Sequence, residues 1–142
     1  MLNQVTNYLS KALITNVSHL EADITLELGE NKLWVASSWR LEKEGIIVIG
    51  NELLVEMLSH VDLKEDYHSF LGFIKNHLNN STIVNVTYSD FNELILKLSN
   101  GFTFRTFQAY GDSAENFQLY IPKKRFLVYT NRVELENLHQ FY

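Results

Sequence analysis

Ile14-Thr15-Asn16-Val17-Ser18-His19 and Ile83-Val84-Asn85-Val86-Thr87-Tyr88 are two stretches of one pattern, and the expected fold grows out of them. Downstream of each, Asp23-Ile24-Thr25-Leu26-Glu27-Leu28 matches Glu93-Leu94-Ile95-Leu96-Lys97-Leu98. Ile46-Ile47-Val48-Ile49-Gly50-Asn51 then matches Phe126-Leu127-Val128-Tyr129-Thr130-Asn131, and Glu56 and Leu58 match Glu136 and Leu138. The offset grows from 69 to 70 to 80 residues, as loop insertions in the second half would produce. Matches in one order, each on one kind of element, predict an internal duplication. The first unit is residues 1–61 and the second 62–142, packed as a single domain.

Working outward, Val5, Leu9 and Ala12 share a face at helical spacing, which predicts a short helix over 3–12. Strands are expected over 14–20, 23–28, 32–41 and 46–49, with turns at Gly29-Glu30-Asn31 and Glu44-Gly45. Asn51 caps an expected helix carrying Leu54, Leu58 and Val61. Asp62 with Glu65 is a capping-box pattern, and Tyr67, Phe70, Leu71, Ile74 and Leu78 form an apolar helical stripe behind it. Gly72 interrupts that stripe and suggests close helix packing. A second meander is expected over 82–89, 93–98, 102–109, 116–121 and 125–130, with Asn100-Gly101 as its hairpin signal. Asn131 and Glu134 then predict a C-terminal helix facing inward through Leu135, Leu138 and Phe141 or Tyr142. The expected class is α+β, two pseudo-symmetric units of helix plus antiparallel β-meander.

Composition bounds the chemistry. Hydrophobic residues make up 46% and charged residues 20% of the 142 positions, which is globular composition. There is no cysteine, so a reducing compartment is expected. The opening MLNQVTNYLSKALI lacks the charged-then-apolar order of a signal peptide, and Ile46–Ile49 is the longest aliphatic run. A cytoplasmic protein with no membrane contact is the expectation. The net charge of −5 disfavours nucleic acid, and the one basic cluster, Lys123-Lys124-Arg125 after Pro122, reads as a solvated turn.

Catalytic patterns are missing. The five histidines (19, 60, 68, 77, 139) include no pair at i and i+4, so no metal is expected. Ser59-His60 adjacency does not make a nucleophile and base, and Gly111-Asp112-Ser113 falls in a late hairpin loop. Glu42 with Glu44, Asp112 with Glu115, and Glu134 with Glu136 read as hairpin-tip, loop and helix-start carboxylates. No catalytic residue and no cofactor is assigned.

Three stretches carry a family resemblance: Leu33-Trp34-Val35-Ala36-Ser37-Ser38-Trp39-Arg40-Leu41, Leu94 through Phe107 with its Leu98-Ser99-Asn100-Gly101 hairpin, and Glu115-Asn116-Phe117-Gln118-Leu119-Tyr120. In that order they resemble small uncharacterised bacterial α+β proteins of the immunity-protein type, with Phe117 standing where tryptophan is expected. The resemblance implies a non-enzymatic protein-binding module that neutralises a basic toxin domain by occlusion, as a monomer or homodimer. A structural protein, or a small-ligand domain without a toxin partner, is the alternative. Alternation in the strand 23–28 turns Ile24, Leu26 and Leu28 inward and leaves an acidic strip, Asp23, Glu27 and Glu30, as the candidate partner surface.

Overall fold

The computed structural model describes residues 1–20, 23–50, 53, 56, 57, 59, 62, 64–107 and 114–138. Half of the chain is strand, in two antiparallel sheets, which corrects the expected α+β class. The element order is α1 (Leu2–Leu9), β1 (Asn16–Leu20), β2 (Asp23–Leu28), β3 (Asn31–Val35), β4 (Ser38–Lys43), β5 (Ile46–Gly50), α2 (Lys64–Leu78), β6 (Ile83–Tyr88), β7 (Leu94–Leu98), β8 (Phe102–Phe107), β9 (Phe117–Ile121), β10 (Lys124–Val128) and β11 (Val133–Asn137). A six-stranded sheet runs β1-β2-β3-β9-β10-β11 and a five-stranded sheet runs β5-β4-β8-β7-β6.

The strands are not arranged as two helix-plus-meander units. The strand expected over 32–41 breaks at Ala36-Ser37, and the chain passes there from the six-stranded sheet to the five-stranded one. The β4–β5 hairpin therefore joins β6-β7-β8 of the second half, while β9-β10-β11 joins β1-β2-β3 of the first. Two ladders stitch the halves together: Leu33 opposite Leu119 on β3 and β9, and Arg40 opposite Arg105 on β4 and β8. Ser37 Oγ donates to the Asn116 carbonyl at 2.6 Å, so the break at 36–37 is tied to the residue just before β9. Continuous alternation across Ala36-Ser37-Ser38 hides this break, because two small polar residues fit a strand as well as a corner.

The other correction is at the end of the chain. Residues 133–137 form strand β11 on β10, where a helix was expected. Val133 and Leu135 alternate with Glu134 and Glu136, a period of two that fits an edge strand, and Arg125 opposite Glu136 fixes the register. The helix expected from Asn51 is helical at Leu53, Glu56, Met57 and Ser59, while its cap lies outside the described residues.

Inner faces of both sheets share one core. Ile24, Leu26, Leu33, Leu119 and Val128 meet Leu41, Leu94, Leu96 and Phe104 there, and Trp39 stacks on Phe104 with centroids 5.8 Å apart. Leu26 and Leu96 are both fully buried, as the alternation of β2 and β7 requires. Val48 is only half-buried, because the β4–β5 register jumps from Leu41–Ile49 to Glu42–Ile47 and leaves it as an extra residue. Val84 is extra on β6 in the same way. These bulges on two edges, and the two glutamates on the β11 edge, are the usual means of blunting edge pairing.

Helix α1 closes the core with Val5 and Leu9, and α2 with Tyr67, Leu71, Ile74 and Leu78. The α2 C-terminus is held from the β7–β8 turn: the Asn100 side-chain amide donates to the His77 carbonyl and, at 3.0 Å, to Ser81 Oγ. Gly101 takes φ +90 in that turn, the conformation glycine supplies without strain. Gly72 proves to be no packing glycine, since a Cβ there would have nothing within 4 Å. Gly72→Ala is therefore expected to stabilise the protein by about 0.5–1 kcal/mol, read as a higher urea midpoint with an unchanged slope. A lower midpoint would mean that α2 is more tightly packed at this turn.

Candidate binding face

The outer face of the six-stranded sheet assembles residues from both halves. Register places Asn16, Glu27, Lys32, Tyr120, Arg125 and Glu136 in one row across the strands. Ser18, Thr25, Trp34, Gln118, Leu127 and Glu134 form the next row. Their backs are the buried leucines, isoleucines and phenylalanines of the core. Within the second row Gln118 and Leu127 are themselves buried, and Ser18, Thr25, Trp34 and Glu134 are its accessible positions.

The first row is ionic and hydrogen-bonded. Asn16 Nδ2 donates to Glu27 Oε2 at 2.7 Å, and Lys32 Nζ stands 3.9 Å from the other oxygen of Glu27. One terminal nitrogen of Arg125 donates to both oxygens of Glu136 at 3.0 Å. The other reaches the Tyr120 hydroxyl at 3.2 Å, and that hydroxyl donates to Gln118 Oε1 at 2.9 Å. Gln118 Nε2 donates onward to Glu115 at 3.1 Å. The Arg125 guanidinium is held above its ordinary pKa, first by its bond to Tyr120 and then by Glu136, against the opposing effect of burial. These bonds fix the Tyr120 ring edge and orient it against its neighbours.

Between the rows lies a shallow groove of about 290 Å³ lined by Thr25, Lys32, Trp34 and Tyr120. Trp34 and Tyr120 are each half-buried, so each offers part of an aromatic surface beside polar atoms. An arrangement of this kind offers large contact area at little loss of side-chain freedom. It contains no paired nucleophile and base, and among the described residues no group of three or more histidines, aspartates or glutamates comes together.

Of the sequence-predicted residues, Asp23 and Glu27 are half-buried on this face and Glu30 is exposed in the β2–β3 turn. Glu27 is engaged by Asn16 and Lys32, so the strip is a hydrogen-bonded row and not a bare run of carboxylates. Sequence reasoning missed Trp34, Gln118, Tyr120 and Arg125. Trp34 was within reach, because Leu33 and Val35 point inward and force it out. The other three join this face, and Tyr120 the groove, through the β3–β9 pairing, which links distant halves. No protein-family model, curated protein or solved structure matches the chain. Among the described residues no helix is long and apolar enough to cross a membrane.

Proposed function

We propose that this protein is a non-enzymatic binding module whose six-stranded sheet docks a partner protein, and that it serves in the cytoplasm as an immunity protein, occluding a basic toxin domain. The groove between Trp34 and Tyr120 is the observation that carries this reading. Half-exposed aromatics set in an ordered polar row are the residues that dominate binding energy at protein interfaces. Charge supports the sign of the partner. Asp23, Glu27, Glu115, Glu134 and Glu136 outnumber Lys32, Arg125 and Arg132, which is paired with Glu134, on this face, and the chain carries −5. An excess of carboxylates steers a basic surface toward the sheet and weakens as salt screens it over about 8 Å.

The test is protection of cells that express a toxin domain encoded beside this gene, together with binding kinetics. Asp23→Lys with Glu27→Lys is expected to slow association about tenfold at low salt. The cost to stability is expected to be about 1–2 kcal/mol, since Glu27→Lys removes the Asn16 hydrogen bond and puts a lysine opposite Lys32. Trp34→Ala is expected to raise the dissociation constant about thirtyfold, the loss of one interface anchor. Full protection and unchanged kinetics in all of these variants would remove the six-stranded face from the interaction.

A further inference from the structure

The outer face of the five-stranded sheet has the opposite electrical character. Arg40 and Arg105 lie directly opposite each other on β4 and β8, the two strands that join the halves in this sheet. Two like charges facing each other across a ladder are destabilising unless something lies between them. Glu42 supplies part of that: Arg40 Nε donates to Glu42 Oε2, and Arg105 Nε stands 3.0 Å from the same oxygen. Burial would raise the Glu42 pKa, but the hydrogen bonds and charges of the two arginines outweigh it and hold the carboxyl ionised below its ordinary range.

Glu42 does not saturate the pair. The Arg105 Nε–H is buried and, despite that distance, has no acceptor in line with it. Both arginine side chains remain 34% exposed, against 11% for Glu42. Arg40 is further fixed over the Phe107 ring, 4.3 Å from its centroid. Lys97 shares the face, opposite Thr103 and two pairs along from Ile95 and Arg105, and is exposed. Glu93, on the other side of Ile95 and held by Ser89, shares the face, so three cations stand against two carboxylates and leave an excess of one positive charge.

We infer that the outer face of the five-stranded sheet is a phosphate-binding site, in which Arg40 and Arg105 clasp a phosphate dianion that Lys97 helps to neutralise. Guanidinium groups suit this role because they are planar, always charged and rigid forks. Glu42 holds both forks, and Phe107 the Arg40 fork, before the ligand arrives; two facing forks match the several oxygens of a phosphate better than the two of a single carboxylate. The inference is independent of partner docking on the other sheet.

The experiment titrates inorganic phosphate at constant ionic strength, with sodium chloride as the balance, and follows the arginine Nε–Hε signals by NMR. Saturable shifts at Arg40 and Arg105 are expected, with a dissociation constant on the order of 1 mM. Acetate is expected to bind at least tenfold more weakly. Arg105→Gln should weaken phosphate at least tenfold, and Lys97→Gln, an exposed site that leaves the fold intact, about threefold. Glu42→Gln removes a competing charge and should tighten phosphate severalfold, an effect that a purely structural ion cluster would not produce. Shifts that stay linear to 50 mM, acetate binding as tightly as phosphate, or a Glu42→Gln variant with unchanged or weaker affinity would each overturn the assignment.

Discussion

Residues 1–61 and 62–142, expressed separately, are expected to be unfolded by circular dichroism, and co-expression of the two pieces is expected to restore the β spectrum of the whole chain. The first piece holds β1-β2-β3 with the β9-facing edge of β3 unpaired, and a β4–β5 hairpin with no sheet to join. An isolated hairpin is marginal in water, and a three-stranded meander with one apolar face uncovered is little better. The core makes the same demand: Trp39 of the first piece stacks on Phe104 of the second, and Leu33 faces Leu119. A chain of about 60 residues buries only about 60% of its unfolded surface even when its elements complete one another. Cutting at the seam therefore removes the whole of the net stability, which is only about 5–15 kcal/mol for a domain. A cooperative thermal transition in either isolated piece would show that the sheets are not shared as described.

Phe104→Ala is the single substitution expected to cost most. The ring is fully buried at the centre of β8, stacked on Trp39, and β8 lies between β4 and β7. Deleting a buried phenylalanine to alanine costs about 3–5 kcal/mol through lost transfer energy and the cavity left behind. The aromatic pair contributes about 0.5–1.5 kcal/mol of that. A fall in melting temperature on the order of 10 °C is expected for a chain of this length. Phe104→Leu separates the terms: it keeps most of the volume but loses the stack, and should cost about half as much. A loss below about 1.5 kcal/mol for Phe104→Ala would place the centre of the core elsewhere.

Both expectations depend on a feature that the sequence shows only in part. Alternation identified nearly every strand, and it turned Leu26, Leu28, Leu96 and Leu98 inward, where the structure buries them. Local pattern reports which face of a strand is apolar. It does not report which strand lies alongside. The repeat between the halves suggested that each half folds on itself, yet a hairpin gains the same ladder energy on either sheet edge, and Ala36-Ser37 sends it across. The order along the sheets, β1-β2-β3-β9-β10 and β6-β7-β8-β4-β5, keeps one pattern while exchanging the hairpins. Asn131 with Glu134 misled for a different reason, because a capping signal next to alternating Val133, Glu134, Leu135 and Glu136 competes with a period-two pattern, and pairing with β10 prevails. The binding face followed the same rule. Asp23 and Glu27 were legible from their own strand, whereas Tyr120 and Arg125 come to this face only through β3–β9.

The β3–β9 ladder also sets a timetable. Leu33 and its partner Leu119 are 86 residues apart along the chain, so this ladder cannot begin to close until most of the protein has been made. At about 5–20 residues per second, the ribosome leaves β3 waiting for roughly 4–17 s with its outer hydrogen-bonding groups unmatched. Distant pairings of this kind put folding in the slow range typical of sheet proteins, on the order of milliseconds to seconds even after release. During synthesis the nascent chain presents two open strand edges, β3 and β4, that its own second half will later cover. Nascent copies on neighbouring ribosomes carry the same edges, so chaperone capture or slow spacing of ribosomes along the message bears directly on yield.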